Sequence, residues 1–282
     1  MGTNSALCPL PTWNHIILRE KPLKIAQTLV AAAALAACTG ALAAPILWIS
    51  DGGGQLGTVD VATGTSSLVG NMGQAMFDIA FDSLGNLWGI SGGGAQLYSI
   101  NSSTAVATLV GSTGTAFTNS LVFGPGGVLY AAGSSLYSLN TSTGAGTLIG
   151  NGNGYASSGD LAFVGGNLYL SSNPTANDSL WDIDETTGQG VNIGAIGFGS
   201  VFGLATPDNV TLYGLSGQTV LSINTATGLG SYVTNYSGGG MPGAFGTAFR
   251  TEAGAPIPEP SALSLVALAL LGLGWASKRQ KS

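Results

Sequence analysis

The stretch LYSLNTSTGAGTLIG, residues 136–150, decides the fold, because four further copies of it occur along the chain. In each copy an Asn or Asp opens a turn that joins two short strands, and in four of the five a Gly closes it. Successive opening residues are separated by 41, 39, 44 and 40 positions and are Asp60, Asn101, Asn140, Asp184 and Asn224. Self-similarity at this period predicts a repeat protein built from hairpin units.

One copy departs from this rule, since Ala105 stands where the others have Gly. If the turn holds this residue at positive φ, we expect Ala105 to cost about 1 kcal/mol relative to Gly.

Every unit also contains a second, complementary pair of strands. An apolar strand is followed by a turn and then by a strand with an aromatic residue next to Leu, at Leu87-Trp88, Leu129-Tyr130, Leu168-Tyr169 and Leu212-Tyr213. Two pairs make four strands, and a four-stranded unit repeated radially is the blade of a β-propeller. An open solenoid or a sandwich is the alternative architecture.

The two ends of the repeat region complement each other. The region begins at Leu47 to Ser50, which matches a second strand, and it stops at Ala244 to Arg250, which matches a first strand. Closing the ring with these ends would pair edges that otherwise expose unsatisfied backbone groups. We therefore predict an all-β, five-bladed propeller over residues 45–252, closed by its N- and C-terminal strands.

Residues 1–44 are predicted to be a leader with an export signal. Basic residues between positions 19 and 24 precede the apolar run from Ile25 to Ala37, and small residues follow up to Ala43 and Ala44, where cleavage is expected. Two alternatives remain open. Cys38 lies in a lipoprotein-like box and would then be lipidated, or the segment would stay uncleaved as an anchor.

The C-terminus changes character completely. A linker over residues 253–261 contains the motif Pro258-Glu259-Pro260, and residues 262–277 form an apolar segment predicted to be a transmembrane helix. A basic tail at 278–282 is expected to remain in the cytoplasm, which leaves the propeller outside. A plain C-terminal membrane anchor is the alternative.

This order of motif, apolar helix and basic end resembles the PEP-CTERM sorting signal of exported bacterial proteins. The resemblance implies recognition by an exosortase-type processing enzyme at the inner membrane, removal of the helix, and delivery to the cell surface or extracellular matrix of a Gram-negative bacterium. The expected role is then non-enzymatic: a structural or adhesion protein of an exopolysaccharide or biofilm, in contact with polysaccharide or other surface components.

Charge and residue types exclude several functions for the propeller. Twelve acidic residues and a single basic one, Arg250, lie between Ala44 and Pro260, a net charge of −11. Nucleic acid is therefore an improbable partner, because a polyanion is bound through Lys and Arg. Both cysteines and the one histidine precede Ala44, so the propeller has no thiol or imidazole for catalysis or for zinc.

Asp78 and Asp160 are the carboxylates most suited to a site, because both occupy the start of a first strand and first strands line a propeller's central channel. Either they hold calcium through their oxygen atoms, or each only accepts hydrogen bonds from neighbouring amides. No other cofactor is indicated.

A glycan hydrolase or lyase is the alternative function. It would use Asp78 and Asp160, or else the cluster Asp182, Asp184 and Glu185 beside Trp181, because paired carboxylates with an aromatic platform occur in glycosidases. The alternation of Asp182 and Asp184 around Ile183 favours a solvated strand face instead. No convergent set of acid, base and nucleophile is visible.

Overall fold

The computed structural model describes residues 44–91, 96–115, 117–173 and 177–254. The predicted leader with Cys38 and Ala43, the motif Pro258-Glu259-Pro260 and the proposed helix at 262–277 lie outside these residues. Within them, no helix is long and apolar enough to cross a membrane. Their helical structure is a single 3-10 turn at Pro125–Gly127.

The described chain consists almost entirely of strands. In order they are β1 (Ile46–Asp51), β2 (Gln55–Asp60), β3 (Ser66–Asn71), β4 (Met76–Phe81), β5 (Leu87–Ser91), β6 (Gln96–Ile100), β7 (Ala107–Ser112), β8 (Ser120–Phe123), β9 (Leu129–Ala132), β10 (Ser135–Leu139), β11 (Gly146–Asn151), β12 (Ser157–Val164), β13 (Asn167–Ser172), β14 (Ser179–Ile183), β15 (Gly190–Ala195), β16 (Val201–Ala205), β17 (Leu212–Ser216), β18 (Thr219–Ile223), β19 (Gly230–Asn235) and β20 (Ala244–Phe249).

These strands form five antiparallel sheets of four strands each, which confirms the predicted five-bladed propeller. Blade 1 is β4 to β7, blade 2 is β8 to β11, blade 3 is β12 to β15, and blade 4 is β16 to β19. Blade 5 takes β20 as its first strand and β1, β2 and β3 as the others. The first strands β4, β8, β12, β16 and β20 contact one another in turn around the central axis.

Blade 5 closes the ring with both ends of the repeat region, as predicted. Leu47 of β1 pairs with Phe249 of β20, and Trp48 pairs with Ala248. Closure gives the inner edge of β1 a hydrogen-bonding partner, which the other N-terminal strands of blade 5, β2 and β3, do not supply.

The apolar core is divided among the blade interfaces. Five clusters of buried side chains occur, one between each pair of adjacent blades. The cluster between blades 4 and 5, for example, contains Val220 from one blade, Phe249 from the other, and the fully buried Tyr236. Each blade is therefore stabilised mainly by its two neighbours, as expected for a radial repeat.

The repeated turns behave as the sequence predicts. In blade 2, Oδ1 of Asn140 accepts hydrogen bonds from the backbone N–H of Ser142 at 2.8 Å and of Thr143 at 3.1 Å. Asp60, Asn101, Asp184 and Asn224 accept the equivalent bonds. Ala105 has φ 62°, so this alanine is held at positive φ.

The same turns also lock adjacent blades together. The turn at Thr187-Gly188 of blade 3 lies directly against Gly150, near the end of the outer strand of blade 2, and a Cβ on Gly150 would overlap the carbonyl oxygen of Thr187. Gly111 stands in the same relation to Thr143. Packing between blades thus requires Gly at positions 111 and 150.

Candidate binding site at the mouth of the central channel

Three phenylalanines occupy β-bulges at the same position of three first strands. Phe77 lies between the paired residues Met76 and Asp78, and the register of its strand shifts there. Phe202 and Phe245 sit at the corresponding register shifts of β16 and β20. A bulge leaves its extra residue unpaired and re-aims the side chain, so each Phe is turned towards the channel mouth.

The three rings form one continuous aromatic wall. Phe245 lies in the middle, with ring centroids 5.9 Å from Phe77 and 6.0 Å from Phe202, and both contacts are edge-to-face. All three side chains are only partly buried. They come from the consecutive blades 4, 5 and 1 and therefore cover one side of the mouth.

Blades 2 and 3 supply the other, polar side. Asn119 and Gly159 hold the positions equivalent to the phenylalanines, and Ser158 lies next to Gly159. Together with the aromatic wall these three residues line a cavity of about 200 Å³. Gly159 is needed at this place, because a Cβ there would approach the backbone oxygen of Phe202 to 2.6 Å.

Several buried polar atoms near this polar side have no hydrogen-bond partner among the described residues. Among the described residues, five buried side-chain oxygens have no hydrogen-bond partner, and four of them belong to Asn119, Ser157, Ser171 and Asp178. Three of these residues are in blade 3, and the fourth, Asn119, donates from Nδ2 to the backbone oxygen of Ser157 at 3.2 Å. Buried polar atoms are normally paired, so this concentration indicates a place where water or a ligand supplies the missing bonds.

Asp178 supports this polar side from below. Its Oδ2 accepts hydrogen bonds from Oγ of Ser158 at 2.9 Å and from the backbone N–H of Val201. Burial raises the pKa of its carboxyl above the ordinary value.

Asp78 and Asp160 lie one residue further along their strands and are fully buried. Oδ2 of Asp78 accepts a bond from the backbone N–H of Leu121 in blade 2 at 2.6 Å. Oδ2 of Asp160 accepts bonds from the N–H of Leu204 in blade 4 at 2.7 Å and from Oγ1 of Thr247 in blade 5 at 2.9 Å. The two carboxyls thus connect first strands of different blades.

The two carboxyl groups also lie close enough for each to affect the protonation of the other. Burial raises the pKa of Asp160 to about 8. Burial, and then repulsion by Asp160, raise the pKa of Asp78 well above its ordinary value. Glu252 also has a raised pKa, because of burial and then because of Asp160.

Ser120 holds the position of the two aspartates in blade 2, but its hydroxyl group is hydrogen-bonded within its own blade. Its Oγ donates to the backbone oxygen of Ala132 and accepts from the N–H of the same residue. Among the described residues, the donors to the Oδ2 atoms of Asp78 and Asp160 are thus backbone amides and Oγ1 of Thr247.

The Asp182 cluster does not present an exposed aromatic ring on which a sugar could stack, because Trp181 is buried. Trp181 is 9% exposed, packs edge-to-face against Tyr155, and donates from Nε1 to Oγ of Ser179 at 2.9 Å. Asp184 is exposed and accepts the bonds of its turn. The indole is thus part of the core between blades 2 and 3.

Sequence reasoning missed the aromatic wall. The signal was present, because Phe precedes the equivalent Asp or Gly in three of the five first strands, as Phe77-Asp78, Phe202-Gly203 and Phe245-Gly246. In the sequence these phenylalanines resemble ordinary strand residues. Only the bulges direct their side chains away from the core.

Comparison with known families identifies the C-terminal segment. The PEP-CTERM protein-sorting motif matches residues 256–280, so the chain carries this motif. The motif implies an exported protein that is processed at the membrane by an exosortase. No curated protein sequence matches the chain.

Similar solved structures agree with the fold. One is a structural genomics protein of unknown function from Bacteroides thetaiotaomicron VPI-5482, with 15% identity and a TM-score of 0.52, covering 78% of this chain. This chain spans 62% of the length of that protein. A chain of a nidogen/laminin complex has 9% identity and a TM-score of 0.51, covering 72% of this chain and 97% of its own.

A third similar structure comes from work on the de novo evolutionary emergence of a symmetrical protein. It has 16% identity and a TM-score of 0.51, and the match covers 76% of this chain and all of the other. At such identities the likeness concerns the fold alone.

Proposed function

We propose that this exported protein is a non-enzymatic component of the bacterial surface or extracellular matrix, and that its propeller binds polysaccharide. The PEP-CTERM motif supports delivery to the surface, since its processing leaves the propeller outside the cell. The observation that carries the binding role is the mouth cavity, which has one aromatic wall and one polar wall.

The composition of the cavity favours binding over catalysis. Its lining residues are Phe77, Asn119, Ser158, Gly159, Phe202 and Phe245, and none of them titrates. Asp78 and Asp160 are fully buried and bonded to backbone amides, so a substrate has no access to them. A hydrolase or lyase needs an accessible acid and base near the scissile bond, which supports the binding role over the enzyme alternative.

The sorting part of the proposal is tested in the producing bacterium. Intact mass of the protein from envelope and medium should show loss of residues 262–282, while the variant Pro258→Ala with Pro260→Ala should keep them and stay in the membrane fraction. A wild-type protein that retains this segment everywhere would contradict processing and release.

The binding part is tested with exopolysaccharide isolated from the same cells. The protein should co-sediment with the polymer and leave its size distribution and reducing ends unchanged. Shortening of the polymer would establish the enzyme alternative, and absence of binding would refute the matrix role.

A further inference from the structure

We infer that the mouth cavity binds a single, neutral, hydroxylated ring, namely the terminal sugar residue of a glycan, with the apolar face of the ring against Phe77, Phe202 and Phe245. This inference rests on the proposed function and adds the site and the class of ligand to it.

The aromatic wall is not required by the fold. The equivalent positions in blades 2 and 3 carry Asn119 and Gly159, so the same backbone accepts residues of very different size and polarity. Three partly exposed phenylalanines at a channel mouth are therefore unexplained by packing. Aromatic rings that converge on a cavity offer flat apolar surface, which suits the C–H face of a sugar ring.

The opposite wall calls for hydrogen-bonding groups on the ligand. Oδ1 of Asn119, Oγ of Ser157 and Oδ1 of Asp178 have no partner among the described residues, and all lie on or behind this wall. Hydroxyl groups, directly or through bound water, can satisfy such atoms. A ligand that is apolar all round, or a quaternary ammonium ion, would leave them unsatisfied.

Charge excludes an anionic ligand. The one basic residue of the propeller, Arg250, lies 5.9 Å from the ring centroid of Phe81, at the far end of β4 from Phe77. Among the described residues no basic side chain therefore reaches the mouth, and the net charge of −11 between Ala44 and Pro260 repels acidic sugars.

Size and closure point to a chain end. The cavity of about 200 Å³ is smaller than the pockets of ~300–1,000 Å³ that enclose drug-sized ligands, so it matches one ring. Directly beyond it the channel is filled by the fully buried Asp78 and Asp160. A ligand can thus enter from the mouth only, which suits the last residue of a glycan chain, with one linkage, better than an internal residue with two.

The test uses the full-length protein in detergent and ligand-observed NMR with methyl glucoside, methyl galactoside and N-acetylglucosamine as probes. At least one probe should bind, and Phe202→Leu with Phe245→Leu should weaken its binding at least tenfold. Phe198→Leu is the matched control, because Phe198 is partly buried but does not line the cavity, and it should bind as the wild type does. Asn119→Ala is a second variant, should the double variant not fold.

Three results would overturn the inference: no probe binds, the Phe202/Phe245 variant binds as well as the wild type, or tetramethylammonium displaces the sugar. These results are separable from failure of the proposed function. If the wild type still binds exopolysaccharide while the cavity variants bind it equally well, the matrix role stands and only this site is wrong.

Discussion

Asp78 of blade 1 and Asp160 of blade 3 are both fully buried in first strands of the ring, and the charge of Asp160 adds to burial in raising the pKa of Asp78. Neither side chain is exposed, and each also accepts backbone N–H bonds from a neighbouring first strand. Each carboxyl thus joins its own first strand to that of another blade, and because burial raises both pKa values, the stability of the ring depends on pH.

The free energy of unfolding should fall as the pH rises from about 4 to about 8. In this window the folded Asp160, with a pKa of about 8, keeps a proton that the unfolded chain, at the ordinary 3.8, has released. The expected slope is on the order of 1 kcal/mol per pH unit. Asp78 and Glu252 face the same centre and have raised pKa values, so they act in the same direction.

Urea unfolding at pH 5, 6, 7 and 8 measures this slope. Asp78→Asn should reduce it, because the variant removes one titrating group while keeping an acceptor for the backbone. Asp184→Asn is the control, since Asp184 is exposed in its turn and should leave the slope between pH 5 and 8 unchanged. Equal stability of the wild type at pH 5 and pH 8 would contradict the raised pKa values of the buried carboxyls.

Calcium should not stabilise the protein. A cation at Asp78 and Asp160 would have to displace the N–H donors of Leu121 and Leu204 and the hydroxyl of Thr247. Hard cations need several free oxygen ligands, which these carboxylates do not offer. Thermal unfolding with millimolar calcium or with a chelator should give the same midpoint, and a rise that disappears in Asp160→Asn would restore the calcium hypothesis.

Gly150→Ala should destabilise the fold by about 1–3 kcal/mol, because its Cβ would overlap the carbonyl oxygen of Thr187 in the next blade. Thr234→Ala is the matched control. Thr234 occupies the same repeat position in blade 4, where the partly exposed threonine is accommodated against the turn at Gly64, and its truncation should cost less than about 1 kcal/mol. Similar losses for both variants in denaturant unfolding would refute the blade-locking role.

Ending the chain after Gly243 should abolish cooperative folding. This truncation removes β20, exposes the edge of β1 and removes Phe249 from the interface between blades 4 and 5. The loss should exceed about 5 kcal/mol, which is comparable to the whole stability of many domains. A chain ending after Gly254 keeps all twenty strands and should unfold like the full-length protein in circular dichroism. A stable shorter chain would show that the closed ring is unnecessary.

Trp181→Phe should lower stability by about 1–2 kcal/mol, because the variant loses the bond to Ser179 and part of the packing against Tyr155. Binding to exopolysaccharide should not change, since the indole is buried. Asp182→Asn, on the same strand, should affect neither property. A loss of polysaccharide binding in either variant, at unchanged stability, would favour a site at the Asp182 cluster.

Much of the fold could be predicted because its information is local. The turn chemistry of Asn140 and Gly144 acts within a few residues, and its repetition every 39 to 44 positions reveals the blades directly. The matching ends at Leu47 and Phe249 then predict closure. The candidate site could be predicted only in part: Asp78 and Asp160 were recognised as channel residues, but their full burial and their bonds to other blades depend on how five separate strands meet.

The sequence by itself determined the number of blades, the turns, the closing blade and the C-terminal sorting motif, because a contiguous or repeated stretch of residues specifies each of them. The tertiary structure alone decided what the central channel does. It buried Asp78 and Asp160 completely, and it turned Phe77, Phe202 and Phe245 towards one mouth. The physical reason is that β-bulges and ring closure set side-chain directions through pairings between strands, some of them far apart in the chain.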